Sequence, residues 1–131
     1  MGQTMKFLVV DDNENITKVV RLLLESAGHE VEVRLSSRQA LQDAPAIRPD
    51  AILLDLMMPE MDGFELCKHF KENPDLAGAK IIILSGKAYE FDKRRARQLG
   101  ADGYIVKPVR TETFLDELGA LLSGKMKLTY W

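Results

Sequence analysis

Aspartate residues follow two short apolar runs of this sequence, at the point where each run ends. Asp11 and Asp12 come directly after Lys6–Val10, and Asp55 comes directly after Ala51–Leu54. A short, bounded apolar run is typical of a strand that is buried on both faces of a parallel sheet. Open α/β sheets bind ligands at the carboxyl ends of their strands. We therefore expect the three carboxylates to meet at one edge of a sheet.

The chemistry open to such a cluster is cation binding and phosphoryl transfer. Like charges raise the pKa of at least one carboxyl, and Mg²⁺ removes this conflict because it takes oxygen ligands. Carboxylates form acyl phosphates, so Asp55 is a candidate nucleophile. Mg²⁺, the Lys107 ammonium and the Ser85 hydroxyl could stabilise the charge on a transferred phosphoryl group. Gly86 would leave room for that group to enter.

Alternating strand and helix patterns must position these residues. Apolar runs and helical patterns alternate five times through short links, which predicts an α/β domain with a parallel sheet and right-handed crossovers. The second run places Val31 and Val33 between charged residues, so we expect that strand near a sheet edge. The expected strands lie around residues 6–10, 31–33, 51–54, 80–84 and 104–106.

The first helix is predicted from an apolar stripe. Its residues recur at the i, i+3, i+4, i+7 spacing of a helix face that packs on a core: Ile16, Val19, Val20, Leu23 and Ala27. Asn13 and Asn15 both fit the N-cap, and Gly28 is a natural residue to end the helix.

Ser36 and Gln39 have the spacing of a capping box, which predicts the start of a short second helix. We expect this helix to end near Asp43, because Pro45 and Pro49 follow it.

Three further helices follow from similar signals. Asp62 and Glu65 offer another capping box, and Gly100 ends a highly charged helical segment over 87–99. The last helix is amphipathic and is expected to begin at Thr111, with apolar residues Phe114, Leu115, Leu118, Leu121 and Leu122.

Length and composition fit one ordinary globular domain. The 131 residues suffice for a single core, with 46% apolar and 29% charged residues. The net charge of −2 shows no excess of basic residues, so we expect no direct nucleic-acid binding. Cys67 is the single cysteine, which excludes an internal disulfide and fits a reducing compartment. We find neither a membrane span nor a signal peptide, so the predicted location is the cytoplasm, without membrane partners.

Several motifs together resemble the receiver domain of bacterial two-component response regulators: Asp11-Asp12, Asp55–Gly63, Ser85-Gly86 and Gly100–Pro108. The resemblance implies one receiver domain over residues 1–131, with a core of about 6–122 and a short C-terminal tail over 123–131. It also implies a flavodoxin-like, doubly wound sheet of five parallel strands in the order 2-1-3-4-5 with five helices.

The resemblance implies that Asp55 is a phosphoacceptor in a phosphorelay. Its phosphoryl group would come from a phosphohistidine on a histidine kinase or a histidine phosphotransfer protein. Asp12 would bind Mg²⁺ or Mn²⁺ directly and Asp11 largely through water, with Asp55 and the backbone carbonyl of Met57 as the other ligands.

Further roles follow from the same resemblance. Lys107 would pair with the phosphoryl group, helped by Ser85 and Gly86, and Lys107-Pro108 would be joined by a cis peptide bond. Ser85 and Tyr104 would form the switch that reports phosphorylation.

The implied function is a signalling switch that is an enzyme only toward its own aspartyl phosphate, which it forms and hydrolyses. Phosphorylation would change the face formed by the fourth helix, fifth strand and fifth helix, and so control an unknown target or a phosphorylation-dependent dimer. The chain could instead be the receiver fragment of a longer transcriptional or enzymatic regulator. An aspartyl-phosphate phosphatase is a third reading, but those enzymes place Asp-x-Asp after the first strand, and the adjacent Asp11-Asp12 lacks that spacing.

Simpler structural interpretations stay open at three places. Asp11-Asp12 could be a helix-capping pair, and Tyr104 could be a half-buried strand residue. The basic segment 87–99 could be a solvated face or could bind a partner. Arg110 departs from the family pattern, which often has an acidic or small capping residue there.

Overall fold

Five parallel strands form a single sheet. They pair in the order β2-β1-β3-β4-β5, and the computed structural model describes residues 4–123 of the chain. The predicted fold and strand order are confirmed. The strands are β1 (Lys6–Val10), β2 (Glu30–Arg34), β3 (Ala51–Leu54), β4 (Lys80–Ser85) and β5 (Gly103–Val106).

Five α-helices connect and follow the strands, as predicted. A 3₁₀ turn over Pro74–Leu76 separates the third helix from β4. The predicted C-terminal tail lies outside the described residues, except for Ser123. The helices are α1 (Glu14–Ser26), α2 (Ser37–Ile47), α3 (Gly63–Glu72), α4 (Glu90–Gln98) and α5 (Phe114–Leu122).

The three inner strands carry the core. Every residue of β3 is buried, and β1 and β4 are buried except at Lys6 and Lys80. Strand β2 lies at an edge, as predicted, and only Val31 of its five residues is buried. Each aliphatic side chain buried in this way contributes about 1.5–3 kcal/mol to the hydrophobic driving force. This rigid centre fixes the strand ends that carry the polar residues.

The predicted core face of α1 is right only in part: Val20 is buried, and Ile16 and Leu23 are half-buried against the core. The residues of this helix that are buried are Thr17, Val20 and Leu24, whereas Val19 is 39% exposed. Thr17 can face the core because its hydroxyl donates a hydrogen bond to the Glu14 carbonyl at 2.9 Å. A stripe chosen by apolar residue type alone cannot include that threonine, so the predicted face omits Thr17 and includes the exposed Val19.

The predicted end of α2 near Asp43 is also wrong, because the helix continues through Pro45 to Ile47. The proline removes one backbone donor, but the backbone N–H of Arg48 still donates to the Ala44 carbonyl at 2.9 Å. Ala44 is fully buried, so packing favours the last turn. The predicted start is confirmed, since the Ser36 hydroxyl accepts from the Gln39 amide at 3.1 Å.

Other helix ends follow the sequence signals. Asn13, and not Asn15, caps α1, since its side chain accepts from the amides of Asn15 and Ile16. Asp62 caps α3 by accepting from the Glu65 amide at 2.9 Å. Gly100 adopts the positive φ of 93° that favours glycine after a helix.

The last two helices begin later than predicted. Helix α4 starts at Glu90, and α5 starts at Phe114, after a turn in which the Phe114 amide donates to the Arg110 carbonyl at 2.9 Å. Thr111 therefore belongs to a turn and not to the helix.

Within residues 4–123, no helix combines the length and the apolar character that crossing a membrane requires.

Candidate functional site

The carboxyl ends of β1 and β3 bring three carboxylates together. Asp11, Asp12 and Asp55 each offer an oxygen, and these oxygens lie within 4.8 Å of one another. Asp11 and Asp55 are buried, whereas Asp12 is exposed. Hard divalent cations prefer such all-oxygen sets. The residues present therefore fit a metal ion of the Mg²⁺ type.

Lys107 reaches this cluster from the end of β5. Its Nζ lies 2.8 Å from Asp11 Oδ2 and 3.2 Å from Asp55 Oδ1. The ammonium therefore sits between the two buried carboxylates and offsets their repulsion. The peptide bond between Lys107 and Pro108 is cis.

Backbone contacts fix the position of Asp55. Its amide donates to the Val10 carbonyl at 3.0 Å, and the Gly63 amide donates to the Leu56 carbonyl at 3.0 Å. A Cβ atom added to Gly63 would lie 2.3 Å from the Asp55 carbonyl oxygen. The start of α3 is therefore packed directly on the backbone of Asp55, and only glycine fits there.

The two residues of the Asp11-Asp12 pair are held differently. The Asp11 Oδ1 accepts from the Asn13 amide at 2.9 Å, which orients this carboxylate at the turn into α1. Asn13 is itself the N-cap, so neither aspartate caps the helix. Within residues 4–123, the Asp12 side chain has no hydrogen bond or ion pair, which leaves its oxygens available to a ligand.

The pKa of Asp55 is raised above its ordinary value. Burial is the largest cause and the charge of Asp11 the next, while Lys107 and a backbone hydrogen bond from Met57 act in the opposite direction. Burial lowers the pKa of Lys107, but the hydrogen bond with Asp11 and the charge of Asp55 have the larger combined effect. The pKa of Lys107 is therefore raised above its ordinary value. The lysine stays protonated at neutral pH.

The raised pKa of Asp55 predicts a pH-dependent stability in the absence of metal. Below the unfolded-state pKa of about 4, Asp55 is protonated in both states and does not destabilise the fold. As the pH rises above that value, Asp55 ionises in the unfolded state before it does so in the folded state, so the fold loses stability until the pH passes the raised folded-state pKa. We expect Asp55→Asn to raise the melting temperature at pH 7 in EDTA, and this gain to disappear near pH 3. Thermal denaturation of both proteins at each pH tests this, and an equal gain at pH 3 would contradict it.

Ser85 and Tyr104 are joined through the backbone of Lys87. The Ser85 hydroxyl accepts from the Lys87 amide at 3.1 Å, and the Tyr104 hydroxyl donates to the Lys87 carbonyl at 2.8 Å. Tyr104 is only 5% exposed, and its ring points inward from β5. Burial raises the pKa of its hydroxyl group, and a hydrogen bond with the Ser85 side chain acts in the opposite direction. Sequence reasoning missed the role of Lys87, because a link made by backbone atoms leaves no signal in the residue type.

Two other predicted residues lie at the margin of the cluster. The side chain of Met57 is 60% exposed, and its backbone N–H bonds to Asp55. A Cβ atom added to Gly86 would meet nothing within 4 Å, so the space beside this glycine is open. The Met57 carbonyl as a ligand and Gly86 as an entry point stay predictions.

Comparison with known protein families shows to which family the chain belongs. The profile of the response regulator receiver domain matches residues 7–118, which include the three carboxylates, Ser85 and Lys107. The chain belongs to the receiver family. Receivers are signalling domains, and the alternative of an aspartyl-phosphate phosphatase is therefore not retained.

Named relatives of this receiver are bacterial response regulators. The polar-differentiation response regulator DivK of Brucella ovis is 34% identical, over 91% of this chain and 97% of DivK. The response regulator ArlR of Staphylococcus saprophyticus is 35% identical over 89% of this chain, but only 52% of ArlR is matched. The transcriptional regulatory protein PhoP of Bacillus subtilis is 40% identical over 79% of this chain and 42% of PhoP. The receiver thus spans about half the length of ArlR and PhoP, and nearly all of DivK.

Solved structures agree with the fold of this receiver. The chemotaxis response regulator CheY4 of Vibrio cholerae superposes with a TM-score of 0.85 at 34% identity, over 91% of this chain and 99% of CheY4. The receiver domain of DrrB activated by BeF₃ superposes with a TM-score of 0.80 at 29% identity, over 92% of this chain and 99% of that domain.

Proposed function

We propose that this receiver is a phosphorylation-dependent switch whose acceptor is Asp55. The observation that carries the proposal is the position of Lys107, whose Nζ bridges Asp11 and Asp55 beside an all-oxygen cluster. The donor is a phosphohistidine on a histidine kinase or a histidine phosphotransfer protein. We also propose a cytoplasmic location and a single receiver unit over residues 1–131.

Mg²⁺ or Mn²⁺ would be held by Asp11, Asp12, Asp55 and the Met57 carbonyl, and when bound would neutralise charge on the phosphoryl oxygens. In the transfer, an Asp55 oxygen bonds to phosphorus while the bond from phosphorus to the donor imidazole breaks, and the imidazole keeps that electron pair. Lys107 then bonds to a phosphoryl oxygen in place of the Asp55 carboxylate. Water then attacks the phosphorus, the bond from phosphorus to the Asp55 oxygen breaks, and inorganic phosphate leaves while the carboxylate is restored.

The Ser85 hydroxyl can donate a hydrogen bond to a phosphoryl oxygen. A movement of Ser85 toward the phosphoryl group would pass to Tyr104 through the backbone of Lys87. The Lys87 N–H donates to the Ser85 hydroxyl, and the Lys87 carbonyl accepts from the Tyr104 hydroxyl. Tyr104 is already inward here, so a phosphoryl group would favour this arrangement over one in which the ring turns outward. The face of α4, β5 and α5 would change with it, and control a target protein or a phosphorylation-dependent dimer.

An apolar surface cavity beside the site supports a protein as the phosphoryl donor. Val19 is exposed, and it lines a surface cavity of about 430 Å³ together with Pro108 and the half-buried Ile16 and Val109. Lys107 lies in the same cavity wall. A donor domain that covered this cavity would bring its phosphohistidine close to Asp55.

Acetyl phosphate tests the proposed chemistry without a kinase. We expect one phosphoryl adduct per chain in the presence of Mg²⁺, because the receiver itself supplies the nucleophile and the charge stabilisation. Intact mass measures the adduct, and EDTA should suppress it. Equal adduct formation in EDTA would contradict a role for the metal.

Mg²⁺ should also stabilise the fold, since a ligand that binds only the native state shifts unfolding by mass action. At a Mg²⁺ concentration of 100 times Kd the stabilisation is about 2.7 kcal/mol. We expect the melting temperature at pH 7 to rise with millimolar Mg²⁺, and Asp12→Asn to lose most of that rise. An equal rise in this variant would remove Asp12 from the ligand set.

A further inference from the structure

Helix α4 is anchored by few side chains. Asp92 and Ala96 are its buried residues, and only the second is apolar. Phe91, on the same helix, is 69% exposed. With so little apolar burial, the position of α4 depends strongly on the individual contacts that its other side chains make.

One such contact joins α4 to α3. The guanidinium carbon of Arg95 lies 4.3 Å from the centre of the Phe64 ring, within the range of a cation–π interaction. Phe64 is only 7% exposed and belongs to the first turn of α3. A cation on the face of an aromatic ring at such a partly exposed site shifts an equilibrium by about two- to fivefold.

Phe64 adjoins the part of α3 that touches the acceptor residue. The preceding Gly63 has its Cβ position against the backbone of Asp55 and Leu56, and its amide is bonded to the Leu56 carbonyl. The backbone of Asp55, the start of α3, the Phe64 ring and Arg95 therefore form an unbroken series of contacts. It reaches α4 without passing through Ser85 or Tyr104.

We propose that Arg95 is a positioning residue that couples the acceptor loop to α4 through Phe64. The inference rests on the proposed phosphorylation of Asp55, and adds to it a second route by which the acceptor loop sets the position of α4. The arginine favours the arrangement of α4 that accompanies the inward Tyr104, because the contact is made in that arrangement. A lysine at this position would keep part of the effect, whereas a neutral side chain would lose it.

NMR spectra with and without beryllofluoride and Mg²⁺ test the coupling in the whole chain. Arg95→Gln is compared with Arg94→Gln, since Arg94 is exposed on the same helix and, within residues 4–123, has no hydrogen bond or ion pair. We expect the chemical-shift changes that beryllofluoride causes at the α4 amides to differ between Arg95→Gln and the wild-type protein. Hydrogen exchange of the α4 amides should be about two- to fivefold faster in Arg95→Gln. The Ser85 and Tyr104 amides should still shift. Arg95→Lys should restore much of the wild-type response, and Phe64→Leu should reproduce the effect of Arg95→Gln.

The outcomes separate the coupling from the proposed function. A wild-type response of α4 in Arg95→Gln, or an equal loss in Arg94→Gln, would overturn the coupling. A lower melting temperature in Arg95→Gln with an unchanged α4 response would also overturn it, because the contact would then be structural only. Absence of any beryllofluoride shift in the wild-type protein, at Ser85 as well as at α4, would instead reject the phosphoacceptor site.

Discussion

Asp55→Asn is expected to abolish phosphoryl uptake from acetyl phosphate. An amide is a poor nucleophile and carries no charge to pair with Lys107, so the rate should fall on the order of 10³-fold or more. The substitution keeps the shape of the side chain, and Lys107 retains its 2.8 Å contact with Asp11. The fold should therefore survive. Intact mass after incubation with acetyl phosphate and Mg²⁺ measures the loss.

Asp116→Asn is a matched control for this experiment. Asp116 is exposed in the first turn of α5 and does not belong to the carboxylate cluster, so removal of its charge should leave the adduct unchanged. If Asp55→Asn were labelled as strongly as the wild-type protein, the acceptor would be another residue. Peptide mapping of the adduct would then identify it.

Gly63→Ala is expected to cause the largest loss of stability among single-methyl additions at the site. The new Cβ would lie 2.3 Å from the Asp55 carbonyl oxygen and 2.7 Å from the Leu56 Cα. Both are backbone atoms at the end of a buried strand, so they cannot move aside as a flexible side chain would. Overpacking of this kind costs about 3 kcal/mol, and it should also slow phosphorylation by displacing Asp55. Chemical denaturation and the acetyl phosphate reaction measure the two effects.

Gly119→Ala provides the comparison. Gly119 lies inside α5, where an added Cβ meets nothing within 4 Å. Alanine is favoured over glycine in a helix by about 1 kcal/mol, so this variant should be as stable as the wild-type protein or slightly more stable. Equal stability of the two alanine variants would mean that α3 moves away from Asp55 at little cost.

The sequence by itself determined the order of elements and most of their ends. The buried strands can be predicted because β3 and β4 are continuous apolar runs. The starts of α2 and α3 can be predicted because the side chains of Ser36 and Asp62 accept the capping hydrogen bonds. These signals depend on neighbouring residues only. The acidic cluster could also be anticipated, since Asp11 and Asp55 each follow a strand, and parallel strands bring their carboxyl ends to one edge.

Tertiary contacts decided what residue type could not. The core face of α1 includes Thr17, and α2 continues through Pro45, because packing and a local hydrogen bond outweigh residue preference. Lys107 bridges Asp11 and Asp55, and the Tyr104 hydroxyl donates to the Lys87 carbonyl, so both contacts join residues that are distant in the chain. Only the assembled sheet brings them within bonding distance, since such contacts depend on strand order and backbone direction.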